Sequence, residues 1–274
     1  MRKKKSLLRR YKRTLTIIGI LMCELLLLVA AVVKIIFGSS EWQEEQYTNG
    51  ADNILDVNGI FWQEYEEPYT GYREEYMLEV PYINQNPGFP TGCESVSAAM
   101  VLRYHEIYIG VEDFIDNYLV MDEYQYDENG VMYGAHPAQA FIGNPRENTG
   151  FGCYAPVIQN AMERLLSDKK VKLTATLTTG SALDELCREY IDNDTPVLVW
   201  ASMDMKPTRE GRSWILENGE EFTWIAGEHC LVLVGYDNEF YYFNDPLVGE
   251  KVAYEREIVE LRYRELGSQS LVIE

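Results

Sequence analysis

Cys93 stands in a setting that suits a nucleophilic thiol. Thr91 and Glu94 have the S/T-x-x-E spacing of a capping box, which predicts a helix that begins at Thr91 with Cys93 in its first turn. The unpaired amide N–H groups and the positive end of the helix dipole at such a turn stabilise a thiolate, and so lower the pKa of the thiol. Gly92 leaves room for a substrate backbone to approach the sulfur. This order of residues indicates nucleophilic catalysis by Cys93.

A thiolate nucleophile needs a base, and the chain has three histidines, His105, His136 and His229. His105 lies twelve residues beyond Cys93 on the same predicted helix, about 18 Å away, which excludes it. His136 lies in a Gly-Ala-His-Pro loop and is interpreted as a structural or surface residue, with a role as base left open. His229 begins an apolar strand, and an imidazole at the tip of a strand fits a base better than a core residue.

The strand that follows His229 predicts a partner for its imidazole. After a turn the chain returns through residues 240–246. In a hairpin with a three-residue loop, residues whose numbers sum to 476 face each other, which places Leu247 opposite His229 and leaves Asp245 as the diagonal neighbour. Asp245 can then accept a hydrogen bond from the imidazole and fix its tautomer. Asn244 takes this role only if the register is off by one.

Gln85 is the candidate oxyanion donor. It precedes Cys93 by eight residues, in a segment that runs extended into an Asn-Pro-Gly turn. Its side-chain amide could join the backbone N–H of Cys93 in stabilising a tetrahedral oxyanion. The residue type alone does not single it out.

The remaining cysteines after the N-terminal segment have other interpretations. Cys153 precedes a predicted helix and is a rival nucleophile by local electrostatics, but no base can be assigned to it. Cys187 has core spacing on a predicted helix, and Cys230 faces away from His229 by strand alternation. A disulfide between Cys153 and Cys187 stays open. Because no C-x-x-C or H-E-x-x-H motif occurs, neither a metal site nor a cofactor is predicted.

Hydrophobic periodicity predicts the elements that position these residues. The predicted helices cover residues 93–105, 111–120, 156–167, 182–193 and 255–266. The predicted strands cover residues 171–177, 197–201, 229–236 and 240–244. An early helix followed by later strands favours an α+β fold over alternating βαβ units.

Composition narrows the function classes. The 274 residues include 44 acids and 24 bases, a net charge of −20. Residues 1–37 hold nine bases and one acid, so the rest of the chain carries a net charge of −28. Such a surface repels phosphate backbones, which excludes nucleic acid as a partner. No G-x-x-x-x-G-K-[ST] or G-x-G-x-x-G motif occurs, so no nucleotide is expected either.

Residues 15–37 are a 23-residue apolar run that predicts a single transmembrane helix. A helix of that length spans roughly 34 Å, enough for a hydrocarbon core of about 30 Å. The bases that precede it predict a cytoplasmic N-terminus and an extracytoplasmic C-terminal part. A cleaved signal peptide is the alternative, and the role of Glu24 within the run is open. The predicted organisation is a basic tail at 1–14, a signal-anchor at 15–37, an acidic stalk at 38–76 and a catalytic domain at 77–274.

The chain resembles the C39-like cysteine peptidase family, a papain-like group related to the bacteriocin-leader processing peptidases. The resemblance covers most of residues 80–249 and is carried by the blocks VPYINQ, PTGCESVSAAMVL, FIGNP, GFGCYAPVIQNAM, TPVLVWASMDM and GEHCLVLVGYD…FNDPLVG. It implies a papain-like fold, in which an N-terminal helix with the nucleophile packs on an antiparallel sheet. It also implies that Cys93 is the nucleophile, His229 the base, Asp245 the orienting residue and Gln85 the oxyanion donor.

Two function classes follow from these residues. The first is a membrane-anchored extracytoplasmic cysteine peptidase or amide-bond hydrolase that acts through a thioester acyl-enzyme. Its substrate would be a peptide or protein, with cell-wall cross-bridges and surface proteins as open classes, and hydrolysis or transfer as open outcomes. The second is a membrane-anchored binding module with a papain-like fold and no turnover. The complete Cys, His, Asp and Gln set favours the first. Because the chain lacks a Walker motif, unlike leader-processing peptidases joined to exporters, cleavage of double-glycine leaders is not expected.

Overall fold

The computed structural model describes residues 73–274, which form an α+β structure around an antiparallel sheet. In chain order the elements are β1 Tyr76–Met77, α1 Cys93–Tyr104, α2 Val111–Asn117, β2 Met121–Asp122, β3 Gln125–Tyr126, β4 Met132–Tyr133, β5 Phe141–Ile142, α3 Ala155–Lys169, β6 Ala175–Leu177, α4 Leu183–Glu189, β7 Val197–Ser202, β8 Arg209–Ile215, β9 Glu221–Ala226, β10 Glu228–Tyr236, β11 Phe240–Asp245, β12 Gly249–Glu255, α5 Arg256–Glu265 and β13 Ser270–Ile273.

The central sheet has the strand order β12-β11-β10-β7-β13-β6, and β1 pairs with the far end of β10. Every pair in this sheet is antiparallel. All residues of β7 and β10 are buried. Their runs of Val and Leu therefore suit strands that are covered on both faces. These two strands form the middle of the core.

Helix α1 lies against β10 and is buried along most of its length. All residues from Cys93 to Leu102 are buried, and most are apolar or small. A helix buried on all sides needs few polar residues, and its small side chains let the backbone approach the sheet closely. The hydroxyl of Ser97 donates to the carbonyl oxygen of Cys230 at 3.0 Å, which ties the helix to the strand. Helix α1 and the sheet beneath it thus have the arrangement that the sequence predicts.

A second, smaller sheet has the order β3-β4-β8-β9. Its core contains Met132, Ile142, Trp214 and Trp224. Strands β8, β9, β12 and β13 are not among the predicted strands. β8 and β12 contain few apolar residues, and β13 has only four residues, so their sequences carry a weak strand signal.

Several predicted boundaries change in the structure. The predicted helix at 111–120 ends at Asn117, and the one at 182–193 divides into α4 and a 3-10 turn at Ile191–Asn193. The predicted strand at 171–177 forms only over β6. Among residues 73–274, no helix is long and apolar enough to cross a membrane. The predicted span at 15–37 lies outside the described residues, as do the basic tail and most of the stalk.

Candidate active site

Cys93 is the first residue of α1, and Gly92 is its N-cap. The predicted capping box is wrong, because no side chain caps this helix. The hydroxyl of Thr91 donates instead to the carbonyl oxygens of Asn144, at 3.3 Å, and Glu147, at 2.9 Å. Thr91 therefore anchors a neighbouring loop. The helix begins at Cys93, as the periodicity predicts and two residues after the start that the capping box predicts. Cys93 still lies in the first turn, where the amide N–H groups are unpaired.

Gly92 is needed by the packing of the protein itself, so the space that was predicted for a substrate is filled. A Cβ atom at this position would lie 2.9 Å from the Cβ of Phe89 and 3.1 Å from the Cβ of Pro145. Both distances are shorter than ordinary carbon contacts. Glycine here lets the loop before α1 close against its neighbours, and this fixes where the helix starts.

The thiol of Cys93 points toward buried acids. Its Sγ donates to Oε2 of Glu94 at 3.3 Å, and the backbone amide of Cys230 hydrogen bonds to the sulfur. Burial raises the pKa of the thiol well above its usual value, and the carboxyl groups of Glu94 and Glu228 raise it further. The sequence predicted a lowered pKa. Burial and two carboxyl groups outweigh the helix N-terminus, so the resting group is a neutral thiol.

Glu94 and Glu228 form a buried carboxyl pair beside this thiol. Burial raises the pKa of Glu94 to about 7, although its Oε1 accepts the amide of Cys153 at 2.6 Å. Burial also raises the pKa of Glu228, with a further contribution from Glu94. In the described part of the chain, the buried Oε1 of Glu228 has no hydrogen-bond partner. Because these two carboxyl groups lie close together and are shielded from water, at least one of them is expected to be neutral.

The sequence interpretation does not predict this pair, because it assigns Glu94 to a helix cap and gives Glu228 no role. The available signal was an acid immediately after the candidate nucleophile and another immediately before the candidate base, each next to an apolar run. A buried acid is rare unless it has a partner or a function. One oxygen from each acid and the Sγ of Cys93 lie within 4.8 Å of one another, a set with the chemical types of a metal site.

His229 and Asp245 form a buried pair. The Nε2 atom of the imidazole lies 2.8 Å from Oδ1 of Asp245, and both side chains are 1% exposed. Asp245 also accepts the amide of Leu247 and the hydroxyl of Tyr254, each at 2.9 Å. Burial raises the pKa of Asp245, but these hydrogen bonds lower it by more, so the net shift is downward. An ionised Asp245 thus holds Nε2, and Nδ1 is the nitrogen that can serve another group.

The hairpin explains why Asp245, rather than its neighbour, reaches the imidazole. Val232 faces Asn244 and Leu233 faces Phe243, the register whose numbers sum to 476. Beyond these pairs the ladder shifts by one residue at Gly235. The last pair of the ladder is Tyr236 with Tyr241, so residues 237–240 lie between the paired residues where three residues were predicted, and a bulge near Gly235 compensates for the difference. A Cβ atom there would lie 2.5 Å from a backbone oxygen of β1, so the close approach of β1 requires glycine.

Asn244 serves another part of the structure. Its amide nitrogen donates to the carbonyl oxygen of Val80 at 2.8 Å, and its Oδ1 accepts the amide of Lys251 at 3.0 Å. Asn244 is buried, and these two contacts link the segment before α1 to β12. Its side chain is thus committed to the backbone.

Gln85 is buried, and it contacts both the segment after Asp245 and the loop before Cys93. Its backbone amide donates to the carbonyl oxygen of Pro246 at 3.0 Å. Its side-chain nitrogen donates to the carbonyl oxygens of Phe89 and Pro90, each at 3.1 Å. In this structure Gln85 therefore shapes the loop that leads to Cys93. Its amide hydrogens point to that loop, and donation to an oxyanion would require the exchange of one of these bonds.

Among the predicted site residues, the structure joins His229 and Asp245 by a hydrogen bond, whereas the thiol of Cys93 bonds to Glu94, which the sequence did not assign to the site. Within residues 73–274, no hydrogen bond joins Cys93 to His229. The two are nevertheless neighbours, because the amide next to His229 contacts the sulfur and His229 lowers the pKa of Glu94 electrostatically.

The rival residues have structural roles. His136 accepts the amide of Ala138 through Nδ1 at 3.1 Å and packs on Phe222. His105 is the C-cap of α1, at the end of the helix opposite Cys93. All four cysteines of the described region are free, so Cys153 and Cys187 form no disulfide. Cys187 lies in the main core, as its spacing predicted.

Comparisons with known proteins agree with this architecture. The model of the Peptidase_C39 like family matches residues 77–271. The uncharacterized protein YvpB of Bacillus subtilis (strain 168) is 28% identical over 200 residues, which cover 72% of this chain and 75% of YvpB. A crystal structure from Bacillus anthracis, of a protein classed as a C39-like peptidase, has a TM-score of 0.64 and 28% identity, and the match covers 74% of this chain and 98% of that chain.

A more distant solved structure is that of a double glycine motif protease from an AMS/PCAT transporter, in complex with a leader peptide. It has a TM-score of 0.41 and 17% identity, and it covers 72% of this chain and 91% of that chain. This likeness is too remote to say anything about substrate. The matched family model spans the whole described fold from β1 into β13, so the chain belongs to the C39-like peptidase family.

Proposed function

We propose that this protein is a cysteine peptidase or amide-bond hydrolase in which Cys93 is the nucleophile, His229 the base and Asp245 the residue that orients the base. The observation that supports this most is the fully buried His229–Asp245 pair, which leaves Nδ1 of the imidazole for the neighbouring thiol at the start of α1. Membership of the C39-like peptidase family suggests the same reaction class.

The reaction would begin with proton transfer from the thiol of Cys93 to Nδ1 of His229. The thiolate attacks the substrate carbonyl carbon, and the backbone N–H of Cys93 stabilises the oxyanion, with Gln85 as the second donor if it releases a loop carbonyl. The imidazolium then gives its proton to the leaving amine, which breaks the amide bond and leaves a thioester on the sulfur. Water, or an acceptor amine, attacks the thioester and restores the free thiol.

The raised pKa of Cys93 determines the resting state of this mechanism. A thiol held by Glu94 is neutral, so the enzyme does not rest as a thiolate–imidazolium pair. Proton transfer would then accompany substrate binding, when the thiol turns away from Glu94. Ionised Asp245 stabilises the imidazolium that forms in this step, as in other nucleophile–histidine–carboxylate triads.

The cellular setting belongs to the same proposal. The apolar run at 15–37 and the bases before it support a single-pass anchor with the catalytic domain outside the cytoplasm. Substrates would then be extracytoplasmic peptides or proteins, including cell-wall peptides and surface proteins. The acidic character of the chain beyond residue 37 favours cationic partners over anionic ones.

The experiment is substrate profiling of the full-length protein in detergent micelles with a mixed peptide library. We expect wild-type protein to cleave a subset of peptides, and Cys93→Ala to lose at least about a thousandfold in kcat/KM. Cys187→Ala, which removes a core thiol remote from His229, is the matched control and should stay within about threefold. Specific peptide binding that is identical in wild type and Cys93→Ala, without any product, would instead support the binding module.

A further inference from the structure

We propose that Cys93, Glu94 and Glu228 form a binding site for a thiophilic divalent cation, with Zn²⁺ as the best-suited ion, and that an ion bound there blocks the nucleophile. The three residues come from the start of α1 and the start of β10. Binding itself does not depend on the proposed function. The inhibition that would result from it does.

The positions of the donor atoms support such a site. The Sγ atom of Cys93 and one carboxylate oxygen from each acid lie within 4.8 Å of one another. Zn²⁺ holds sulfur at about 2.3 Å and oxygen at about 2.0–2.2 Å, so a tetrahedral ion separates its ligand atoms by about 3.5 Å. Side-chain adjustments on the order of an ångström would close this set around an ion.

A second observation is the unsatisfied oxygen of Glu228. The carboxyl group is 7% exposed, and its Oε1 has no hydrogen-bond partner in the region that the structure describes. A buried carboxyl oxygen without a donor has lost its contact with water and gained no hydrogen bond in return, which is unfavourable, and more so when the group is charged. A cation that coordinates this oxygen would remove that cost.

The other acid already has the support that metal ligands usually have. Oε1 of Glu94 accepts the backbone amide of Cys153 at 2.6 Å, which fixes the carboxylate plane. Its Oε2 remains directed at the sulfur of Cys93. Hydrogen bonds of this kind orient ligands and strengthen metal binding in many proteins.

The donor types select the ion. One thiolate with two carboxylates suits Zn²⁺ or Cd²⁺, whereas Mg²⁺ and Ca²⁺ prefer oxygen ligands alone. On binding, the thiol releases its proton to solvent, and a carboxyl group that is protonated does the same. The sulfur is then coordinated and its lone pair is not available for attack on a carbonyl carbon.

The test uses full-length protein in detergent micelles, freed of metal with a chelator and titrated with Cd²⁺. The ultraviolet thiolate-to-Cd²⁺ charge-transfer absorption reports binding, and competition gives the affinity for Zn²⁺. We expect one ion per chain, loss of the signal in Cys93→Ala, and affinity at least about tenfold weaker in Glu228→Gln and Glu94→Gln. Glu217→Gln, which changes an exposed acid in the turn between β8 and β9, and His229→Asn should bind within about threefold of wild type.

Three results would overturn the proposal. If Glu228→Gln binds the ion as tightly as wild type, the acid pair is not part of the site. If His229→Asn loses tenfold in affinity, the ion lies between the thiol and the imidazole. If Cys93→Ala keeps the charge-transfer signal, the ion is bound by other cysteines. If Glu94→Gln or Glu228→Gln fails to fold, an alkylation experiment on the wild-type protein alone still tests whether the ion binds at Cys93. Stoichiometric Zn²⁺, but not Mg²⁺, should then slow alkylation of Cys93, and unchanged alkylation would contradict the site. None of these readings requires a substrate, so they are separate from a failure of the proposed function.

Discussion

Buried acids dominate the electrostatics around Cys93. The site contains the neutral thiol of Cys93 and the carboxyl groups of Glu94 and Glu228, whose pKa values are raised. It also contains the ionised carboxylate of Asp245. Burial raises the pKa of Glu228, and the neighbouring Glu94 raises it further. Burial also acts on Asp245, but three hydrogen bonds outweigh it and lower the pKa of that carboxyl group.

Asp245 and Asn244 offer a paired test of the histidine contact. We expect Asp245→Ala to lower kcat/KM by at least about a hundredfold, because the imidazole loses the group that orients it and stabilises its charge. Asn244→Ala should affect turnover much less and lower the unfolding temperature, because its side chain bonds to Val80 and Lys251. Steady-state kinetics and circular dichroism of both variants make the comparison. A larger loss of turnover in folded Asn244→Ala would contradict the assignment.

The charge of Asp245 should appear in the acid stability of the protein. Burial raises its pKa, but hydrogen bonds outweigh this and hold the folded value below the ordinary 3.8. A depressed pKa contributes stability that is present above about pH 4 and is lost as the pH falls below it. Urea unfolding of wild type and Asp245→Asn should therefore give a difference in free energy of unfolding that shrinks between about pH 5 and pH 3. A difference that grows toward low pH would mean that the pKa is raised.

The start of α1 is defined by packing and not by a cap. The loop before the helix closes because residue 92 has no Cβ, and Thr91 fastens the loop to residues 144–147. The local sequence therefore suggests a familiar cap, whereas contacts over about fifty residues of chain decide the geometry. The position of Cys93 depends on these contacts.

Gly92→Ala should test this dependence. The new methyl group would clash with Phe89 and Pro145, so we expect a loss of about 1–3 kcal/mol in the free energy of unfolding and slower alkylation of Cys93. Gly88→Ala is the matched control, since a Cβ at that exposed position meets nothing within 4 Å. Equal stability of the two variants would show that the loop adjusts freely.

Local sequence patterns predict which side chains pair in much of this site, but they do not predict the contacts that shift the pKa values of its acids and thiol. The alternation of β10 and β11 predicts the contact of His229 with Asp245, and the predicted register is correct near Val232 because the bulge at Gly235 compensates for the different turn. The contacts of Glu94 with Cys153 and of Gln85 with Pro246 join distant parts of the chain. No periodicity encodes them. Strands β8 and β9 are missed for a related reason, since their burial depends on a small aromatic core that only the fold assembles.

The molecule as a whole has an uneven charge along its chain. Nine bases fall within residues 1–37, and the rest carries a net charge of −28. The described fold begins at residue 73, so the membrane prediction stands on the sequence of the first segment alone. A basic tail before an apolar run determines orientation in membranes through the positive-inside rule.

Protease added to intact cells should test this topology. We expect the C-terminal part of the full-length protein to be digested while an epitope tag at the N-terminus stays protected. Lysed cells, in which both ends become accessible, provide the control. A protected C-terminal domain in intact cells would reverse the orientation and exclude extracytoplasmic substrates.

The most direct test of the account is the alkylation of the native full-length protein by a limiting amount of iodoacetamide at neutral pH, followed by peptide mass spectrometry. Cys93 is 6% exposed, against at most 1% for Cys153, Cys187 and Cys230. His229 is the base that we propose for it. We predict that Cys93 is modified first and that His229→Ala slows this reaction by at least about tenfold. Preferential labelling of Cys153, or labelling of Cys93 that is indifferent to the loss of His229, would contradict the assignment of Cys93 as the nucleophile.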